Sequence, residues 1–401
     1  MVESVETVCQ QQGGSFDALV VGCGFSGAVV ARRLAEAGKK VLILEKRPHI
    51  GGNMFDSADE NGVLVHRYGP HIFHTNNEDV FRFLSRFSDF FPYEHRVLGS
   101  IDGRLVPIPF NRRSAALLFG EKQAAAVFLE LSAAYPGRAR VTVPELLESR
   151  SAAVKRLGEF VFEKVFRNYT AKQWGMAPEL VDRSVLGRVP VVLGDDDRYF
   201  SDAIQQMPAL GYTTLFRAML THRNISLALG FNALSRLQAD PSAPALLFGG
   251  KPLDAPVIWT GPADELFRHV YGALPYRSLS LAVERYDVTH YQPAAVVNYP
   301  NEEEFTRITE FKYLTGQTIA NATSIMKEYP LPYQPGAARG NIPYYPIASP
   351  ESAALYARYQ ALAARFPNLY LCGRLAQYRY YNMDAAVGVA LKLSDQVLAR
   401  M

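Results

Sequence analysis

Residues 16 to 52 constrain this chain more than any other stretch. An apolar run from Phe16 to Val21 leads into Gly22-Cys23-Gly24-Phe25-Ser26-Gly27. A helical pattern with small residues on one face follows, Phe25 to Ala37, and stops at Gly38. Val41 to Leu44 is a second apolar run, ending at Glu45. Short continuous apolar runs suit strands buried on both faces of a parallel sheet, so the stretch reads as a β-α-β unit. Its glycines have separate duties: Gly22 permits the tight turn, Gly24 lets a pyrophosphate approach the backbone, and Gly27 lets helix and sheet close up. The helix N-terminus offers free N–H groups and a positive dipole end to phosphates. Glu45 offers an acceptor to ribose hydroxyls. A bound dinucleotide is therefore expected.

The rest of the chain is read around that unit. Residues 113–160 are rich in Ala, Leu and Glu and look helical, with breaks at Gly120 and at Tyr135-Pro136-Gly137. From about 185 to 346, short β-prone pieces (Leu281 to Tyr286, Ala294 to Tyr299, Phe305 to Phe311) alternate with Pro and Gly turns, which suggests an antiparallel sheet. Asn368 to Leu371 returns to a buried-strand pattern before Gly373, and Met383 to Leu398 is a closing helix. Both ends thus look nucleotide-binding, with other lobes inserted between them. Across 401 residues there are 42 basic and 39 acidic side chains, a net charge of +3, which lacks the basic excess of a nucleic-acid binder. Cys9, Cys23 and Cys372 are too few, and odd in number, for a disulfide framework or a zinc site. The polar start has no signal-peptide pattern and no run is long enough to span a membrane, so a cytoplasmic protein is expected.

Glu45 is followed after five residues by Gly51-Gly52-Asn53, an arrangement that resembles flavoproteins holding FAD in an extended pose. Gly373-Arg374, after a strand and before the closing helix, fits a third contact of the same kind. Further motifs occur in order: Gly69-Pro70-His71-Ile72-Phe73-His74-Thr75, Pro107-Ile108-Pro109-Phe110-Asn111, Asn168-Tyr169-Thr170 with Gln173-Trp174-Gly175, Thr306-Arg307-Ile308-Thr309-Glu310, Pro343-Tyr344-Tyr345-Pro346 and Gly373-Arg374-Leu375. Together they resemble the bacterial UDP-galactopyranose mutases, over about residues 16–398.

The resemblance implies an α/β fold in which a discontinuous Rossmann-like FAD-binding domain carries an inserted helical lobe and an antiparallel β-sheet domain. The expected division gives 1–88, 208–250 and 347–401 to the FAD-binding domain, 89–112, 185–207 and 251–346 to the sheet, and 113–184 to the helical lobe. It implies interconversion of UDP-galactopyranose and UDP-galactofuranose with no net redox change. Reduced flavin would attack the anomeric carbon through N5, expel UDP and hold the opened sugar as an iminium. An external reductant such as NAD(P)H would keep the FAD reduced, and a homo-oligomer is compatible with the reading.

The implied FAD contacts are Gly22, Gly24, Phe25, Ser26 and Gly27 in the first turn, then Glu45, Lys46, Gly52 and Asn53. His71, Ile72, Gly373, Arg374, Asn382 and Met383 complete them. Arg188 and Arg307 match the two arginines that meet the departing diphosphate, where guanidinium forks suit bidentate contact. Tyr199, Tyr345 and Tyr380 match phosphate-contacting tyrosines, and the choice between Tyr344 and Tyr345 stays open. Phe166, Tyr169 and Trp174 match the aromatics that stack the base, with Thr170 and Gln173 beside them. Phe200 is grouped with the substrate contacts. His71 is expected near flavin and sugar as a proton-handling group, and His74 as support for its turn. His95 stands where some members carry asparagine, and Asn382 where the family often carries aspartate. A gating loop around Arg188 would hinge at Gly187 and Gly194, and extra residues are expected as loops at 240–256. Two competing readings are an amine-oxidase-like oxidoreductase and a non-catalytic binder of the GDP-dissociation-inhibitor type. The oxidoreductase needs no paired arginines, and the binder needs no intact Gly22-to-Gly52 cradle.

Overall fold

The computed structural model describes residues 15–175, 189–242 and 244–401. A five-stranded parallel sheet runs in the order Ile225–Leu229, Val41–Glu45, Ala18–Val21, Val257–Trp259, Leu369–Leu371. Ala18–Val21 and Val41–Glu45 are buried at every position, which is why they read as unbroken apolar runs. Alternate side chains feed two cores. Ala18, Val20, Val41 and Ile43 face one core, with residues of the helices Phe25–Glu36, Gly211–Leu220 and Met383–Leu398. Leu19, Val21, Leu42 and Leu44 face the other, with Tyr359 and Leu362 of the helix Pro350–Ala363. Every functional turn of this layer leaves the carboxyl end of a strand: Gly22, Lys46, Thr260 and Gly373 each lie one or two residues beyond one.

The second sheet has seven strands, ordered Tyr345–Pro346, Tyr276–Tyr286, Thr323–Pro332, Arg307–Glu310, Val296–Asn298, Val97–Ile101, Arg104–Ile108. It is mixed, not antiparallel as expected, because Val296–Asn298 pairs parallel with Val97–Ile101. The chain leaves the hairpin 97–108 for the helical lobe and rejoins its edge almost two hundred residues later, and no local turn sets the direction of that pairing. Several pieces assigned to this sheet lie elsewhere. Val257–Trp259 sits inside the parallel sheet. Ile204–Pro208 pairs with Phe73–Thr75 and Phe90–Pro92 in a separate three-stranded sheet. Residues expected as loops at 240–256 instead contribute to a small meander of Leu237–Ala239, Leu246–Phe248 and Lys251–Pro252.

The helical lobe comprises Arg112–Phe119, Glu121–Ala134, Val143–Leu147, Ala152–Val161 and Asn168–Trp174 around its own core. Its starts follow from local chemistry: Asn111 accepts from Ser114 N in a capping box, and Ser151 accepts from Val154 N. Phe162–Arg167 is a wide π-helical turn, not the regular helix the aromatic spacing assumes. No helix among the described residues is long and apolar enough to cross a membrane. Arg188, Gly187, Cys9 and the Trp174 side chain lie outside the described residues.

Candidate active site

A cavity of about 270 Å³ opens at the carboxyl ends of the parallel strands. The turn Gly22 to Gly27 lines it, with Glu45, Lys46, Gly52 and Asn53. The glycines divide by what a Cβ would meet. At Gly22 (φ +98°) it would lie 2.0 Å from Thr260 Oγ1, and at Gly27 2.0 Å from the Gly22 carbonyl oxygen. These two are required by the chain's own packing. A Cβ on Gly24 would meet nothing nearer than Gly52 Cα at 3.9 Å. Gly24 therefore keeps a surface bare that no part of the protein needs. Phe25 is buried and packs its ring on Phe216 at 4.7 Å, so it faces the cavity with main chain. Glu45 is buried, accepting from Cys23 N and Arg47 N at 2.8 Å each, and two further lone-pair positions remain on its carboxylate.

Two helix N-termini line the same cavity, at Gly24 and at Asn382, and neither receives a hydrogen bond from its cap side chain. The positive dipole end of the first helix at a bare glycine surface fits a dinucleotide diphosphate, whereas at the second helix the Asp384 carboxylate already accepts from Ala385 N. Gly373 (φ +99°) packs on Ser26, where a Cβ would come within 2.5 Å of Oγ. Arg374 is spent on the protein: Nε and Nη2 donate to the Tyr381 carbonyl, Nη1 donates to the Tyr344 carbonyl, and the guanidinium covers the Tyr380 ring at 4.9 Å. It staples the turn that carries Asn382 and Met383, both of which line the cavity.

Arg307 enters the same cavity from the second sheet. Its Nε donates to Glu328 Oε1 at 2.6 Å; Arg307 is 26% exposed and Glu328 2%. Burial works against the guanidinium charge, and Glu328 more than offsets it, so Arg307 stays charged. Its field reaches Tyr169, Tyr345, His71 and His95. Tyr345 stacks on Tyr380 at 5.9 Å and 18°. Tyr344 is buried and lines the dinucleotide cavity, so both neighbours stay within reach of the cleft. A second, small cavity between helical lobe and sheet is lined by Phe166, Tyr169 and Tyr199. Thr170 is buried beside it in sequence.

His71 and His95 are held neutral. His71 lines the cavity and donates its backbone N–H to His66 Nδ1, while its own Nδ1 is buried without a partner. Burial holds it well below the usual histidine range, and His66, Arg374 and Arg307 add to that. Ile72 packs against the first core. His74 Nδ1 meets Asp202 Oδ2 at 2.8 Å and its ring stacks on Phe200 at 3.7 Å. Phe200 also stacks on His95, whose Nδ1 is 3.3 Å from the Tyr93 hydroxyl. Burial, then Arg307 and His74, pushes His95 down to about 3. The unfolded chain binds that proton more readily, so the contribution of neutral His95 to stability is present above the unfolded value near 6.5 and fades as pH falls toward 3. In urea melts, lowering pH from 7 to 5 should cost wild type about 2 kcal/mol more than His95→Asn. Equal losses would show that His95 titrates normally.

Three residues escape the sequence reading. Glu328 is one, and its signal is the cross-strand register Arg307 to Glu328, which needs the strand pairing first. Arg277, opposite Tyr345 in the sheet, is the second: it donates to the Gln173 and Lys172 carbonyls and closes the end of the helix Asn168–Trp174. Arg47, in the cavity wall, is the third. Among the described residues no group of three or more His, Cys, Asp or Glu could hold a metal ion.

Comparison with known proteins bears on the same elements. The sequence pattern of the UDP-galactopyranose mutase family matches residues 164–380, and that of an NAD(P)-binding Rossmann-like domain matches 20–87. A UDP-galactopyranose mutase of Mycoplasma pneumoniae is 39% identical over 387 residues, covering 96% of each chain. A dTDP-fucopyranose mutase of Escherichia coli is 34% identical, over 94% of this chain and 97% of its own. In fold, a crystal structure of reduced UDP-galactopyranose mutase superposes with a TM-score of 0.72 at 20% identity, covering 96% of both chains.

Proposed function

The chain belongs to the UDP-galactopyranose mutase family, and on that premise we propose that it interconverts UDP-galactopyranose and UDP-galactofuranose on reduced FAD. The observation that carries this reading is one cavity shared by the bare glycine turn, two helix N-termini and the charged Arg307. Cofactor cleft and leaving-group cation are contiguous. An oxidase would have no use for the cation there.

Gly22 to Gly27, Glu45, Gly52, Asn53 and the Asn382 turn would hold FAD. Bound and reduced, the flavin would supply the nucleophilic chemistry of the exchange. The chain's own residues do the rest. Arg307, with Arg188 from outside the described residues, neutralises the charge that develops on the diphosphate. Tyr199, Tyr345 and Tyr380 donate hydroxyls to it without adding charge. Phe166 and Tyr169 offer ring faces to the base at the far end. His71 Nδ1, buried and unclaimed, accepts or returns a proton as the sugar ring opens and closes. Such a step tolerates little water, which fits the burial of His95 and of the His71 Nδ1 atom.

The test is conversion of UDP-galactofuranose to UDP-galactopyranose, with and without dithionite or NAD(P)H. Turnover should appear only after reduction. Equal turnover with oxidised FAD would remove the flavin nucleophile. The Escherichia coli relative named for dTDP-fucopyranose supplies a second arm. Faster turnover of a dTDP-fucose pair would move the substrate while keeping the chemistry.

A further inference from the structure

Arg47 has no assignment in the reading above. It lines the dinucleotide cavity beside Glu45 and Lys46, and its Nη1 is buried without a hydrogen-bond partner. A guanidinium N–H left buried and unpaired costs free energy. The atom therefore leaves room for an acceptor in the cavity that Arg47 lines.

The guanidinium is nevertheless held. Its Cζ lies 4.3 Å from the centroid of the Tyr68 ring. The Tyr68 hydroxyl is 2.6 Å from His49 Nε2, and His49 Nδ1 is 3.0 Å from the Ile50 carbonyl oxygen. The His49 ring stacks on Phe55 at 3.9 Å and 14°. This chain of contacts fixes its own protons. A carbonyl only accepts, so His49 Nδ1 carries the hydrogen. Burial favours the neutral imidazole, so Nε2 is an acceptor and the Tyr68 O–H donates to it. A phenol that donates gains electron density, which strengthens its hold on a cation over the ring. On the far side, the charge of Arg47 reaches Tyr344, whose carbonyl is fixed by Arg374. Arg47, the Gly22–Gly27 turn and Tyr344 line one cavity, and a guanidinium facing a cavity is best satisfied by an anionic acceptor.

We propose that Arg47 is a second anchor for the diphosphate of the bound dinucleotide, complementing the helix N-terminus at Gly24, and that Tyr68 and His49 are positioning residues that aim it. The inference rests on the flavin reading above.

The measurement is release of FAD from the full-length holoprotein on dilution, followed by flavin fluorescence. Arg47→Gln should release FAD about 10–100-fold faster, the loss of one or two charge-assisted hydrogen bonds. Arg47→Lys keeps the charge without the fork and should recover part of the difference. Tyr68→Leu removes the ring beneath the cation and should speed release by roughly 10-fold. The decisive comparison combines the two. In an Arg47→Gln background Tyr68→Leu should add nothing, because it acts only through Arg47. Additive effects would make Tyr68 merely structural and overturn the relay. Wild-type release from Arg47→Gln would overturn the anchor. A wild-type chain that carries no FAD would instead overturn the flavin reading, an outcome distinct from both.

Discussion

A double variant, Arg307→Gln with Glu328→Gln, is expected to keep its fold and its FAD and to lose about 10²–10³-fold in turnover. The simpler Arg307→Ala is a poor instrument for the same question. Glu328 is only 2% exposed, and Arg307 is its one charged partner among the described ion pairs. Removing the guanidinium alone strands a buried carboxylate, which costs about 3–5 kcal/mol. Lost activity could then be lost fold. Changing both residues to amides removes the two charges together and leaves side chains that can still hydrogen-bond across the strands, since positions 307 and 328 face each other in the ladder. What remains missing is a cation where the diphosphate leaves. Glu328→Gln alone keeps the cation and loosens its aim, so its turnover should fall between wild type and the double variant. FAD absorbance and a thermal melt certify the protein, and the mutase assay gives the answer. Wild-type turnover in a folded, yellow double variant would remove Arg307 from the diphosphate.

The difference between Arg307 and Glu328 also shows where the sequence stops being readable. Arg307 is legible because it sits in a motif. Glu328 is not, because an acid in a β-prone run acquires meaning only when register sets it opposite a base. Local signals carried far elsewhere. The first helix ends one residue short of its expected stop, at Glu36, and the closing helix spans the expected Met383 to Leu398, because small-residue faces and, for the first helix, the following Gly38 act within one turn. The mixed sheet was beyond reach for the opposite reason: the strand Val296–Asn298 joins Val97–Ile101 across almost two hundred residues. The wide turn Phe162–Arg167 was invisible too, since a π turn alters hydrogen bonding without altering composition. It also shifts the phase by which Phe166 and Tyr169 would be placed, yet both line one small cavity. Arg277 and Arg47 illustrate a third limit. A basic residue in a turn or strand reads as surface, and only a carbonyl or an empty cavity in front of it says otherwise.

The glycine turn carries the other large expected effect. Gly24→Val should give a soluble, folded and colourless protein, inactive in any redox state. The backbone at Gly24 has φ −81°, which valine adopts without strain, and the new Cβ would find no protein atom nearer than 3.9 Å. Its cost to the empty fold is the loss of a tolerable helix cap, about 1 kcal/mol. Its cost to the cofactor is the whole approach of a diphosphate to the helix N-terminus. Gly27→Ala provides the contrast. There a Cβ would lie 2.0 Å from the Gly22 carbonyl oxygen and 3.1 Å from Val20 Cγ1, inside the core of the β-α-β unit. That variant should fail to accumulate whether or not FAD is supplied. The pair separates a glycine kept for a ligand from a glycine kept for packing, and the readouts are solubility, the melting temperature of the variant against deflavinated wild type, and absorbance near the flavin band. A yellow Gly24→Val would mean that the dinucleotide does not lie against this turn. An insoluble Gly24→Val would mean that the bare surface at Gly24 serves the fold after all.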